Sequence, residues 1–241
     1  MKISIQCWLL GFVLLSISCK DVEPLSFSKG DVQIQVEAGE NWIHKFPMFL
    51  GIKKDNPPQF ALWLEDTNGK YLSTVYVTQK IATQGWVASG GDRRKEALPH
   101  WCYQRGVVYD DGLYLPTKKQ PFTDAQTSAT PKSNNQLKIK LSDFITPVVI
   151  KAEFNHSIDF NGYFPKSAKE GDENYSGGEM GSGQPAVIYG DTIYPFQTEA
   201  ELRLIGRSSS DGSNGAIYTD LEKITTAKFI VKSIKVQIIE E

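Results

Sequence analysis

Asp124, Thr127, Ala129 and Thr130 lie in the segment Phe-Thr-Asp-Ala-Gln-Thr-Ser-Ala-Thr-Pro-Lys, residues 122–132. A polar loop does not require that order. A threonine hydroxyl is an oxygen nucleophile, and joined to phosphorus it forms a phosphoester. Ala129, small and adjacent to Thr130, leaves room for a bulky group on that hydroxyl. The same residues have a second, local reading, in which Asp, Ser and Thr side chains turn back on neighbouring backbone groups and hold the loop together.

No other segment offers comparable chemistry. The three histidines, His44, His100 and His156, have no paired ligand spacing, so isolated polar roles are expected rather than a zinc site. His100 and Cys102 sit two positions apart, which on an extended segment places them on one face. A lone thiol without a positive microenvironment is expected to be inert. The Gly-rich run Gly-Gly-Glu-Met-Gly-Ser-Gly-Gln-Pro, 177–185, lacks the Lys-Ser/Thr of a phosphate-binding loop and reads as a flexible loop. Arg93, Arg94, Trp101, Tyr103 and Arg105 gather cations and flat rings in one stretch. Such a set suits a flavin ring or a phosphate, and equally suits covering one end of a domain. No acid/base pair or Gly-x-Ser-x-Gly elbow stands out, so turnover chemistry is not the expected role.

The elements that must position these residues are strands. Val32–Glu37, Gln59–Asp66, Tyr71–Gln79, Gln136–Leu141, Pro147–Asn155, Glu199–Gly206 and Lys228–Ile239 carry strand patterns. Ala186–Tyr194 reads as two short strands around Gly190-Asp191. Asn68-Gly69 predicts a tight type I′ hairpin. On Gln59–Asp66 the set Phe60, Leu62 and Leu64 is the expected core face, and Trp63 is expected inside as well, which requires both faces of the strand to be covered. A helical turn or two fits Gly91–Gly106, with Pro99 interrupting a longer helix. Short strands separated by turn-rich segments predict an all-β fold, a single-domain antiparallel β-sandwich over residues 31–241.

Composition agrees with a globular domain. Of 241 residues, 40% are hydrophobic and 22% charged, and the net charge is −2. No basic footprint for nucleic acid exists. Residues 1–18 have an early lysine, an apolar run from Trp8 to Leu15 and small residues before Cys19. That is the pattern of a secretory signal peptide. Leu-Leu-Ser-Ile-Ser-Cys resembles a bacterial lipobox, with Ser16 where leucine is usual. The resemblance implies lipidation of Cys19, a tether over residues 19–30 and a place on the bacterial cell envelope, periplasmic or surface side. An ordinary cleaved signal is the alternative. Of the three cysteines only Cys102 then remains free, so the mature domain has no internal disulfide.

With those elements in place, Asp124-x-x-Thr127-x-Ala129-Thr130 resembles the acceptor motif of bacterial flavin transferases, usually Asp-x-x-Ser/Thr-Gly-Ala-Thr. By that resemblance Thr130 receives FMN covalently through its phosphate, while Asp124, Thr127 and Ala129 serve recognition. Ser128 stands where the motif has glycine. The segments 60–79, 124–131 and the later strands resemble the predicted periplasmic family called domain of unknown function 2271, and "FNHSIDFNGYF" with "GQPAVIY" resembles its lipoprotein branch. The family resemblance implies a flavinylated electron carrier, with a flavin transferase, an envelope redox partner and, through the lipid, the membrane as partners. The competing expectation is a non-catalytic lipoprotein that binds a glycan or protein through loops carrying Trp86, Trp101 and Tyr175.

The lipobox reading predicts that Cys19→Ala abolishes palmitate labelling and moves the protein out of the detergent phase. Unchanged labelling and partitioning contradict it.

Overall fold

The computed structural model describes residues 25–26, 28, 30–47, 49–86, 93–140 and 146–240. The expected signal peptide 1–18, the expected lipid site Cys19 and the start of the expected tether lie outside the described residues. In chain order the elements are β1 (Asp31–Ala38), β2 (His44–Pro47), β3 (Lys53–Asn56), β4 (Gln59–Glu65), β5 (Tyr71–Thr78), α1 (Gln79–Thr83), α2 (Pro99–Gln104), β6 (Gln126–Ser128), β7 (Asn135–Lys140), β8 (Val148–Asn155), β9 (Val187–Ile193), β10 (Glu199–Glu201), β11 (Arg203–Arg207) and β12 (Val231–Ile238). A four-stranded sheet, β10-β12-β1-β7, packs on a six-stranded sheet, β11-β9-β8-β4-β5-β6. Strands β2 and β3 form a separate hairpin. The fold is the all-β sandwich the strand patterns predict. Its pairs are antiparallel except β5–β6, which is parallel.

Period-two alternation builds the inner core. Val32, Ile34 and Val36 of β1 and Ile234 and Val236 of β12 face Phe60, Leu62 and Leu64 of β4 and Ile150, Ala152 and Phe154 of β8. Phe60 stacks between Phe154 and Tyr76, with ring centroids at 4.9 and 4.6 Å. Trp42 closes that cluster, 6.1 Å from Phe60 and 6.2 Å from Phe154.

The opposite face of the six-stranded sheet is not solvated. Ala61 and Trp63 of β4 and Val77 of β5 meet Ile81, Ala82, Trp86, Leu98, Trp101, Cys102 and Leu115, forming a second core. Every residue of β4 is therefore buried, which meets the condition for a buried Trp63. Pro99 opens α2 at its first turn rather than interrupting a longer helix, because a helix start does not need the missing N–H.

Several local expectations change. The β4–β5 turn is closed by the Gly69 N–H on the Asp66 carbonyl at 3.0 Å, with Gly69 at φ 80° and Asn68 not at positive φ, so it is not type I′. The Asp66 carboxylate accepts from the N–H groups of Asn68 and Lys70, both at 2.9 Å, and that alternative satisfies the turn. Residues 187–193 are one strand, because Gly190 continues the ladder between Lys151 and Arg203. Glu199–Arg207 divides at Leu202 between the two sheets. The 177–185 run is packed: a Cβ at Gly183 would lie 2.4 Å from the Asp159 carbonyl carbon, and Ser182 and Gln184 are buried.

Strand directions give the sandwich two distinct ends. The chain enters at Asp31, where Gly30 N–H donates to the Ile239 carbonyl. The β4–β5 turn and the β9–β10 turn lie at this entry end. Ala38, Asn155 and Ser128 lie at the other, distal end, as does the β2–β3 hairpin.

Phe60→Ala is expected to lower unfolding stability by about 3–5 kcal/mol, measured by urea titration. A loss below ~1 kcal/mol would contradict the placement of this ring at the centre of the inner core.

Candidate functional site

The segment 122–131 crosses the distal end with both its ends fixed. At its start, Phe122 N–H donates to the Ala82 carbonyl at 2.8 Å. The Phe122 ring meets Trp101 edge-on, with centroids 5.4 Å apart. The Arg105 guanidinium lies over both rings, 4.4 Å from Trp101 and 5.1 Å from Phe122. At the other end, the Trp42 indole N–H donates to the Pro131 carbonyl at 3.0 Å.

Between these clamps, residues 126–128 form an edge strand rather than a loop. Gln126, Thr127 and Ser128 pair with Tyr76, Val77 and Thr78. Thr127 is thus a strand residue, against the loop expectation, while Thr130 lies two positions beyond the strand. Asp124, Thr127, Ser128 and Ala129 are exposed and Thr130 is half-buried. The Asp124 carboxylate accepts from the Thr123 hydroxyl at 3.1 Å. Among the described residues, neither Thr127 nor Thr130 uses its hydroxyl in an internal hydrogen bond. The local-capping reading therefore fits Ser128, whose hydroxyl bonds the Ala129 carbonyl, but neither Asp124, which meets only a side chain, nor Thr127 or Thr130.

Ser128 in the glycine position is explained locally. Its backbone is extended within β6 and is not at positive φ, so a side chain costs no strain. Its hydroxyl lies 3.0 Å from the Tyr76 hydroxyl and 3.2 Å from the Ala129 carbonyl. Those contacts hold Ser128 against the sheet.

The Arg93–Arg105 cluster covers the second core. Trp101 is fully buried and donates to the Thr74 hydroxyl at 2.9 Å. Arg94 is buried, paired with Glu96 at 2.8 Å, and lies 4.7 Å over Trp86. These rings are not free to hold a flavin. The same burial corrects the glycan-platform expectation, since Trp86 is only 8% exposed and Trp101 not at all. Tyr175 is half-buried.

Strand-face reading missed a buried polar network on the outer face of β4 and β8. Glu153, wholly buried, accepts the N–H groups of His100 at 3.2 Å and Trp101 at 2.7 Å. Next to it, Glu65 accepts from the Trp63 indole at 2.7 Å and pairs with Lys151 at 2.9 Å. His100 Nδ1 donates to the Gly215 carbonyl at 2.6 Å, which leaves Nε2 to face the Lys151 ammonium at 3.3 Å. The signal that could have found this network is the run of charged residues Glu65, Lys151 and Glu153 opposite the aromatic-rich segment 98–105.

Burial raises the Glu153 pKa to about 8, opposed by the two N–H donors. Burial lowers His100 to about 4 and His156 to about 4. Cys102 is pushed up to about 12 by complete burial. Helical geometry also ends the expectation of a shared His100/Cys102 face. His44 and His156 approach with ring centroids 5.5 Å apart, and His44 Nδ1 lies 3.9 Å from Asp159. Even so, no group of three metal-capable side chains forms among the described residues.

Comparison of the chain with protein-family models, curated proteins and solved structures returns no match.

These pKa directions fix a pH profile. Neutral His100 and His156 contribute stability that is present above their unfolded pKa of 6.5 and lost as pH falls toward 4. Protonated Glu153 contributes stability that is present below 4.5 and lost as pH rises through about 8. Between pH 6.5 and 8 the Glu153 contribution falls alone among these three groups. Urea titrations should show stability declining over that window, with the decline removed in Glu153→Gln. An unchanged slope in that variant contradicts a protonated Glu153.

Proposed function

We propose that this protein is a flavin-bearing carrier of the bacterial cell envelope, with FMN joined to Thr130. The observation that supports this reading best is the acceptor segment itself. It is fixed by Phe122 and Pro131, yet the hydroxyls of Thr127 and Thr130 make no internal hydrogen bond among the described residues. A modifying enzyme needs both properties, a defined backbone and an available oxygen.

In the proposed transfer the Thr130 oxygen attacks the FMN phosphorus of FAD. The new bond is Oγ1–P, the broken bond is the anhydride to AMP, and the hydroxyl proton goes to a base of the transferase. No base within this chain is needed. Asp124, exposed six positions before Thr130, is a recognition carboxylate, and Thr127 presents a second contact along the edge strand. Ala129 keeps the approach to Thr130 open, and Lys132, also exposed, offers a cation beside the new phosphodiester.

Once attached, the flavin supplies the electron-transfer chemistry, and the chain supplies position and electrostatics. The apolar run Trp8–Leu15 followed by Cys19, the pattern of an exported lipoprotein, supports the same reading. A lipid at Cys19 would enter the picture at the opposite end of the sandwich. β1 alone, eight residues long, spans roughly 25 Å from that entry toward the acceptor. Thr130 would then face away from the anchoring bilayer, toward a soluble transferase or redox partner.

Coexpression with a flavin transferase should add one FMN and in-gel flavin fluorescence to the wild-type chain. Thr130→Ala should abolish both, because alanine has no oxygen to esterify. Thr127→Ala and Asp124→Ala should reduce the modified fraction without removing it. Wild-type protein without flavin, in cells where a known acceptor is modified, overturns the proposal.

A further inference from the structure

Among the described residues, six of the eleven exposed large apolar side chains, Leu25, Leu72, Val107, Val108, Tyr194 and Phe196, lie at the entry end of the sandwich. The β9–β10 turn, Tyr194-Pro195-Phe196-Gln197, is closed by the Gln197 N–H on the Tyr194 carbonyl at 3.0 Å and by the Tyr194 N–H on the Gln197 side-chain oxygen at 3.2 Å. Phe196 is 85% exposed and Tyr194 43%, and their rings stack with centroids 5.6 Å apart. This turn adjoins the last strand, because Ile238 N–H donates to the Thr198 carbonyl at 2.8 Å.

Three further segments bring apolar groups to the same end. Leu72 is exposed at the start of β5, beside the β4–β5 turn. Val107 and Val108 are exposed just after α2, whose Gln104 side chain bonds to the Gly69 carbonyl in that turn. Leu25 is exposed on the entering chain itself. Nothing in sequence connects these segments, and the topology alone gathers them.

We propose that this end of the sandwich rests on a lipid bilayer, with Tyr194 and Phe196 entering its interfacial layer. The inference deepens the lipid-anchored reading above and rests on it. What designates a bilayer is the chain that precedes the described residues. It holds the apolar run Trp8–Leu15 and Cys19, and it joins the domain at this end. Only eleven residues separate Cys19 from Asp31, a reach of roughly 40 Å when fully extended. That reach exceeds the roughly 25 Å span of β1, so the tether fixes the entry end as the point of attachment, and the apolar groups gathered there, rather than its length, select the face that rests on the membrane. Tyr and Phe rings suit that layer, the tyrosine ring buried and its hydroxyl wet. A turn closed by two hydrogen bonds presents both rings without further ordering.

The distal end supplies an internal control. Leu50, on the connection between β2 and β3, is 89% exposed and just as apolar, but lies away from the entering chain. The full chain, acylated in its host, is bound to vesicles of phosphatidylethanolamine and phosphatidylglycerol with brominated acyl chains. Phe196→Trp and Leu50→Trp each add one exposed indole, read as the difference from the parent protein. Bromine quenching of the added indole should be severalfold stronger in Phe196→Trp than in Leu50→Trp, and Phe196→Ser with Tyr194→Ser should weaken vesicle retention. Vesicle-bound protein with equal, reversed or no quenching of the two indoles overturns this inference and leaves the anchor standing. Protein that does not associate with vesicles at all overturns the anchor and the inference together.

Discussion

The carboxyl group of Glu153 is the interaction on which the placement of the segment 122–131 depends. It sits in the middle of the six-stranded sheet, fully buried, and takes the N–H groups of His100 and Trp101. Those N–H groups belong to the first turn of α2, where helix donors have no intrahelical partner. Satisfying them from the sheet draws the helix onto it. Holding the carboxyl protonated avoids the much larger cost of burying a bare charge. Trp101 follows in position, then Arg105 over its ring, then Phe122 against both. A contact deep in the sheet is thus passed outward, ring by ring, to the start of the acceptor segment.

The proposed acceptor role makes two conflicting demands on the segment 122–131. Segments presented to a modifying enzyme need exposed side chains, and exposed loops are usually variable in position. Here the backbone is registered by three residues of parallel pairing with β5, while the side chains stay at the open edge. The pairing is short enough that the edge does not invite further strands. Ser128 belongs to the positioning part, tied to Tyr76, and Thr130 to the presented part. The serine departs from the usual glycine, yet the extended backbone makes glycine unnecessary at this position.

Much of the inner core was legible in sequence, because alternation along β1, β4, β8 and β12 is the physical pattern of a half-buried strand. The second core was not. Glu65, Lys151 and Glu153 alternate with apolar residues just as solvent-facing residues would, and only the covering helix makes them interior. Pro99 was ambiguous for a related reason: the same ring that breaks a helix interior also suits a helix start, and tertiary contacts decided between them. Gly190 resembled a break because the sequence does not show that it is flanked by strands on both sides. At the site, the order of Asp124, Thr127, Ala129 and Thr130 was visible. The clamps from Trp42 and Trp101 were not, since each comes from a distant part of the chain. The misjudged platform of Trp86 and Trp101 has the same origin, as both rings serve the second core.

The account's central claim is chemical and local, so the most direct measurement is peptide mapping of protein isolated from cells that contain a flavin transferase. Cleavage after Lys119 and Lys132 releases residues 120–132, which hold Thr123, Thr127, Ser128 and Thr130. Fragmentation of that peptide distinguishes the four hydroxyls. The account predicts an FMN phosphodiester on Thr130 alone. A peptide recovered wholly unmodified beside a modified reference acceptor, or one carrying flavin on another of these hydroxyls, would contradict it.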